Sequence, residues 1–177
     1  NLIEEILLFL KERTKNLLKD KGVKSDIIEA VLSSHRGDNF LALHQKGLVL
    51  NKHYKSESYQ NMVASFKRAS SILNQEKSDN KKLIGQPDSI LFKTEEEKEL
   101  YEKINEIRKH FSIRSRKEDY EETIEYLSNT VSATNNFFEN VIVNDENSDI
   151  KENRLELLKM FCQTFNIFID FSKLEGI

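Results

Sequence analysis

Cysteine, proline and glycine are nearly missing from this chain, and tryptophan is absent. Its 177 residues hold one Cys, one Pro, five Gly and no Trp. A lone thiol, Cys162, excludes an intramolecular disulfide framework. So few turn formers exclude a many-stranded sandwich or barrel. No apolar run reaches the roughly 20 residues that a membrane helix needs, and no secretory signal opens the chain. A Gly-rich phosphate loop, a dinucleotide fingerprint and a Gly-x-Ser-x-Gly elbow are likewise missing. What remains is aliphatic and ionic. Hydrophobic residues make up 38% and charged residues 32%, which suits one core under a charged surface. The length fits one domain. The first residue is Asn1 rather than Met, and the chain reads as a piece of a longer cytosolic protein.

Charge is unevenly spread. Residues 1–86 carry 15 Lys/Arg against 10 Asp/Glu, whereas residues 87–177 carry 12 against 20. A polyanion would prefer the first portion. The net charge of −3 argues against indiscriminate nucleic-acid binding, and DNA is not an expected partner. Binding RNA would take a local patch of defined shape.

Apolar residues recur at the helical period almost throughout. Ile3, Ile6, Leu7, Leu10, Leu17 and Leu18 predict a helix over 2–20, ended by Gly22. Ser25 is placed to cap a short helix carrying Ile27, Ile28, Val31 and Leu32. Arg36, Gly37 and Asp38 break the pattern. Phe40, Leu43, Leu50 and Tyr54 predict a third helix, weakened by Gly47. Tyr59, Met62, Val63, Phe66, Ala69 and Leu73 stripe a fourth. Residues 76–93 are polar, contain Gly85 and Pro87, and show no period, so they read as a long loop. Thr94 and Glu97 form a capping box for a helix with Leu100, Ile104, Ile107 and Phe111. Tyr120, Ile124, Leu127, Val131, Thr134, Phe138 and Val141 predict one helix of six turns. After a polar break at 144–148, Leu155, Leu158, Phe161, Phe165, Phe168 and Ile169 stripe the last. The expected fold is all-α, a bundle of about seven helices in one domain spanning 1–177. Its helical halves, 1–75 and 94–177, flank the loop.

Catalytic and metal chemistry find little support. His35, His44 and His53 are nine residues apart, a spacing no helical ligand pair uses, and His110 stands alone. Asp145, Asn147, Asp149 and Glu156 imitate a calcium loop, but Ile150 stands where that loop needs Gly. Asp149 and Glu152 also suit helix capping. Cys162 lies on the last apolar stripe beside Phe161 and Phe165, where a thiol is inert. No catalytic residue and no metal ligand is assigned. Polar residues set against aromatic helix faces are more informative. Lys67, Arg68 and Ser71 lie opposite Phe66, Ala69 and Leu73 on one helix. Phe137 and Phe138 are followed directly by Glu139 and Asn140. Asn153 and Arg154 open the next helix across a short break. On composition alone these are core aromatics and surface charges.

Several ordered segments carry a family resemblance. They are Phe9-Leu10-Lys11-Glu12-Arg13, Gly22-Val23, Asp26-Ile27-Ile28-Glu29-Ala30-Val31-Leu32 and Phe66-Lys67-Arg68-Ala69-Ser70-Ser71-Ile72-Leu73. Phe137-Phe138-Glu139-Asn140-Val141-Ile142-Val143, Asn153-Arg154-Leu155-Glu156-Leu157-Leu158 and the closing Asp170-Phe171-Ser172-Lys173-Leu174 follow. Together they resemble the C-terminal region of the bacterial glycyl-tRNA synthetase beta subunit over nearly the whole chain. Ser71 stands where that family usually has Asn, and Glu139 where it usually has Asp. The resemblance implies a helical anticodon-binding domain of the DALR type, shared with arginyl-tRNA synthetases. It implies a cytoplasmic ligase built as a heterotetramer of two alpha and two beta subunits. Glycine activation with ATP and magnesium then belongs to the alpha subunit. This piece is expected to bind glycine tRNA, to hold no cofactor and to catalyse nothing alone.

Glycine anticodons share two cytosines, and a splayed cytosine offers the acceptors O2 and N3 and one amino donor. Arg154, Arg68, Asn153 and Asn140 are the candidate donors and Glu139 the candidate acceptor. Lys67 and Arg36 are suited to phosphates, which position an RNA without reading it. The competing expectation is a non-catalytic helical protein–protein interaction module, which the acidic second portion suits and which has no RNA affinity.

Overall fold

The computed structural model describes residues 2–34, 39–77, 83, 85–113 and 119–175. Eight α-helices occur among them and no strand: α1 (Leu2–Asp20), α2 (Ser25–Leu32), α3 (Phe40–His53), α4 (Glu57–Lys77), α5 (Glu95–Ile113), α6 (Tyr120–Ser128), α7 (Val131–Asn140) and α8 (Ser148–Phe165). Short 3-10 turns occupy Ser89–Leu91 and Phe171–Lys173. Helices α1 and α2 pack on α3, while α4 lies along α8 and touches α6 and α7. Helix α5 closes the other side against α7 and α8. One apolar cluster runs from Leu18 to Leu174, so the segments before and after the 76–93 loop share a core. At its centre Phe165 meets Phe161, Phe171 and Phe66, with ring centroids 4.4, 5.0 and 6.2 Å away. Cys162 is buried beside them.

Local chemistry sets the helix ends. Gly22 takes φ +72 and lets the Val23 amide reach the Leu18 carbonyl at 3.1 Å, closing α1. The capping box forms as the sequence predicts: the Glu97 amide donates to Thr94 Oγ1 at 3.3 Å, and Glu97 Oε2 accepts from the Thr94 and Lys93 amides at 2.8 and 2.7 Å. Helix α8 is capped by Asn147, whose Oδ1 accepts from the Asp149 and Ile150 amides.

The structure corrects several local expectations. Ser25 is the first helical residue rather than the cap; Lys24 precedes it and donates its amide to Asn51 Oδ1 at 3.0 Å. Gly47 does not interrupt α3. It is the point of close approach to α1, where a Cβ would lie 2.8 Å from Leu18 Cδ2. The single helix expected over 120–141 is two: α6 ends where the Thr130 amide and Oγ1 both turn back to the Leu127 carbonyl, at 3.3 and 2.7 Å. The last helix stops at Phe165, and Phe168 and Ile169 enter the core from the following turn. The apolar stripe of α1 is mostly uncovered. Leu18 is buried, but Ile3, Ile6, Leu7 and Leu17 are exposed, with Leu2, Leu8 and Phe9.

The segment after α8 returns to the first helices. The Asp170 amide donates to the Ala30 carbonyl at 3.1 Å, and the Glu175 amide to Asp26 Oδ2 at 3.0 Å. Lys46, buried in α3, donates to the Phe168 carbonyl at 2.8 Å.

Candidate nucleic-acid interface

The outward side of α4 is polar because its large apolar residues turn inward, to α8 and to α6, α7 and the turn at Phe171. Lys67, Arg68, Ser71, Asn74 and Gln75 are exposed on it, above buried Phe66, Ala69 and Leu73. The Arg68 guanidinium carbon sits 4.4 Å from the centroid of the Phe138 ring, and Nη2 donates to the Phe138 carbonyl at 3.3 Å. That contact brings α4 to the C-terminal end of α7, where Glu139 and Asn140 are exposed. Asn140 Nδ2 donates to the Asn136 carbonyl at 2.9 Å, leaving the side chain folded along α7. Ile142, two residues on, is 76% exposed. Phe137 is fully buried under Phe138, their centroids 5.6 Å apart. On the other flank Lys67 donates to the Glu175 carbonyl, and a shallow groove runs past Lys67, Ser70, Ser71, Asn74 and Ser172. Four of the sequence candidates, Lys67, Arg68, Glu139 and Asn140, therefore stand exposed along α4 and the end of α7.

Arg154 and Asn153 do not join them. Arg154 is 5% exposed. Its Nε donates to Glu97 Oε1 at 2.8 Å, and its Nη1 donates to the Ile142 carbonyl at 2.8 Å and to Asp145 Oδ2 at 2.7 Å. Asn153 is also buried, and grips the backbone of Asp88 from both sides: Oδ1 accepts from the amide at 2.6 Å and Nδ2 donates to the carbonyl at 3.0 Å. Neither side chain is placed to meet a base, since each is enclosed and already bonded. Arg36 lies outside the described residues.

Sequence reasoning missed the polar ladder that these two residues begin. Glu156 Oε1 accepts from the Gly85 amide at 2.9 Å, and Lys159 Nζ donates to the carbonyls of Leu83 and Gly85 at 2.9 and 3.1 Å. With Asn153 and Arg154, one helix thus ties down both neighbouring loops. The sequence offers little signal for it, because Asn153, Arg154 and Glu156 sit among Asp149, Lys151, Glu152 and Lys159 in a mixed polar stretch.

Asp145 belongs to this ladder rather than to a calcium loop. Its carboxyl is held below the usual range by the Asn147 amide and then by Arg154. No three His, Cys, Asp or Glu side chains among the described residues converge on a metal position. Elsewhere, Glu121 accepts from Lys52 at 2.7 Å and lies 2.5 Å from His53 Nε2. These two partners, Lys52 first, pull its carboxyl down. No helix among the described residues is long and apolar enough to cross a membrane.

Comparison with known proteins bears on this arrangement. The family model for the DALR anticodon binding domain matches residues 62–171, a span that runs from within α4 through α8 and includes every exposed candidate above. The chain belongs to that family. Among curated proteins it is similar to glycine–tRNA ligase beta subunits. It is 34% identical to that of Sulfurihydrogenibium sp. (strain YO3AOP1), over 98% of this chain and 25% of the relative. It is 30% identical to that of Clostridioides difficile (strain 630), over 98% and 24%, and 30% identical to that of Paracoccus denitrificans (strain Pd 1222), over 97% and 25%. The chain spans about a quarter of the length of these relatives.

Proposed function

We propose that this chain is the anticodon-recognition module of a glycine–tRNA ligase beta subunit and binds glycine tRNA through the face formed by α4 and the end of α7. The observation that carries the reading is Arg68, held over the Phe138 ring beside exposed Glu139 and Asn140, within the segment matched by an anticodon-binding family. A guanidinium restrained on an aromatic ring presents donors in a fixed fork. Glu139 supplies an acceptor for a cytosine amino group, and Asn140 a further donor. Lys67 provides charge for a phosphate. In this reading the alpha subunit is the partner of the longer protein, and glycine activation with ATP and magnesium resides there. The chain alone then binds RNA without catalysing a reaction, in the cytoplasm.

A filter-binding titration tests this at fixed salt, comparing glycine tRNA with the same tRNA carrying substituted anticodon cytosines. Tighter binding of the unaltered tRNA is expected. Equal binding of both, or of neither, overturns the proposal.

A further inference from the structure

Arg154 is a buried cation bonded to three oxygens, none of them on an exposed candidate RNA-binding residue. We propose that it is a positioning residue: through Glu97 and Asp145 it fixes the turn between α7 and α8, and with it the end of α7 that meets RNA. This rests on the anticodon-binding reading above.

The geometry runs outward from the core. Glu97 is fully buried, and its carboxylate is held by the Lys93 and Thr94 amides on one oxygen and by Arg154 Nε on the other. That fixes Arg154 relative to α5. A single nitrogen of Arg154, Nη1, then holds two points of the α7–α8 turn, the Ile142 carbonyl and the Asp145 carboxylate. Asp145 in turn accepts from the Asn147 amide at 3.0 Å, and Asn147 caps α8. The turn is thereby fastened at three successive places, and α7 ends directly before it with Phe138, Glu139 and Asn140. Arg68 is bonded to the Phe138 carbonyl. A shift of the turn therefore moves the acceptor, the donor and the seat of Arg68 together. A lysine at 154 has one nitrogen and cannot hold Glu97 and the turn in the same fork geometry.

The test uses variants that take nothing from the RNA-facing surface. Glu97→Gln lies wholly inside; Asp145→Asn keeps the Arg154–Glu97 pair and serves if the first variant folds poorly. Two measurements are made on each. The first is amide hydrogen exchange, in which residues 141–147 are expected to exchange faster than in the wild type while the centres of α4 and α8 are unchanged. The second is binding of glycine tRNA and of its anticodon-substituted form. Cognate affinity is expected to fall by between about twofold and thirtyfold, the range for residues that modulate a site without touching the ligand. The substituted tRNA should change less, and the salt slope should stay the same because no phosphate contact is lost. Unchanged exchange at 141–147 overturns the proposal, as does unaltered discrimination in a folded variant whose turn has loosened. If the wild type itself fails to discriminate the two tRNAs, the anticodon reading falls, and the exchange measurement still decides whether Arg154 fixes the turn.

Discussion

Arg154 is a cation at 5% exposure with three oxygens around it. Taking such a charge out of water is tolerable only when it is paired and bonded. Removing Glu97 leaves the buried guanidinium with Asp145 as its one remaining charged partner and strips the capping box from α5, so Glu97→Ala should cost at most about 3–5 kcal/mol, read as a lower urea midpoint. Asp145 adds a pH dependence. Its carboxyl lies below the usual range when folded, held first by the Asn147 amide and then by Arg154. A depressed folded value stabilises above the unfolded value, near 3.9, and that contribution disappears as pH falls through the folded value. Acid should therefore loosen the turn below about pH 4, and Asp145→Asn should flatten that part of the stability profile between pH 5 and 2. On the RNA side, Arg68→Ala should lose roughly 1–3 kcal/mol for glycine tRNA and less for the anticodon-substituted form. Lys67→Ala should weaken both alike and reduce the salt slope. Titrations at two salt concentrations separate the two behaviours. Arg68 was legible in sequence because its neighbours on the same helix define which side faces out. Arg154 was not, because its enclosure depends on Glu97, 57 residues away.

At the scale of elements, the helical period located every helix and blurred where some of them stop. Helices α6 and α7 read as one because the apolar stripe continues through Asn129 and Thr130, whose backbones stay in the right-handed helical region. The break is marked by the amide and hydroxyl of Thr130 turning back together to the Leu127 carbonyl, and Thr occurs inside helices often enough to hide it. The capping box at Thr94 was legible because both partners lie within one turn of each other. Gly47 shows the opposite case, a residue that looks locally weak and is required by a distant neighbour. Gly47→Ala would gain about 1 kcal/mol of helix propensity. It would also push on the Leu18 methyls, which are fully buried and would have to repack. Overpacking of this kind costs about 1–3 kcal/mol. A net loss of stability is expected, visible as a lower melting temperature, and a gain would show that α1 slides freely on α3.

At the scale of the molecule, two features involve residues outside the matched anticodon-binding segment. The first is the uncovered start of α1, where Leu2, Ile3, Leu8 and Phe9 are all more than 60% exposed. These side chains contribute little to the core, so Leu8→Gln with Phe9→Gln should alter stability by no more than about 0.5 kcal/mol each. The same pair should raise the ammonium sulfate concentration at which the chain precipitates, since sulfate strengthens apolar association. An unchanged precipitation point would mean that this patch does not govern solubility. Amphipathic spacing made α1 visible as a helix, but periodicity cannot tell whether a partner covers the stripe. The second feature is the return of residues 168–175 to α2 and α3, where the Glu175 amide bonds a carboxylate 149 residues earlier. A ribosome adds about 5–20 residues per second. A growing chain must therefore wait roughly 7–30 s between making Asp26 and making the amide that Asp26 receives. During that interval the surface of α2 and α3 that takes Phe168, Asp170 and Glu175 is bare, and Lys46 lacks the carbonyl it will hold. The module closes only when synthesis has passed residue 175, which makes its first helices clients for whatever shelters nascent chains.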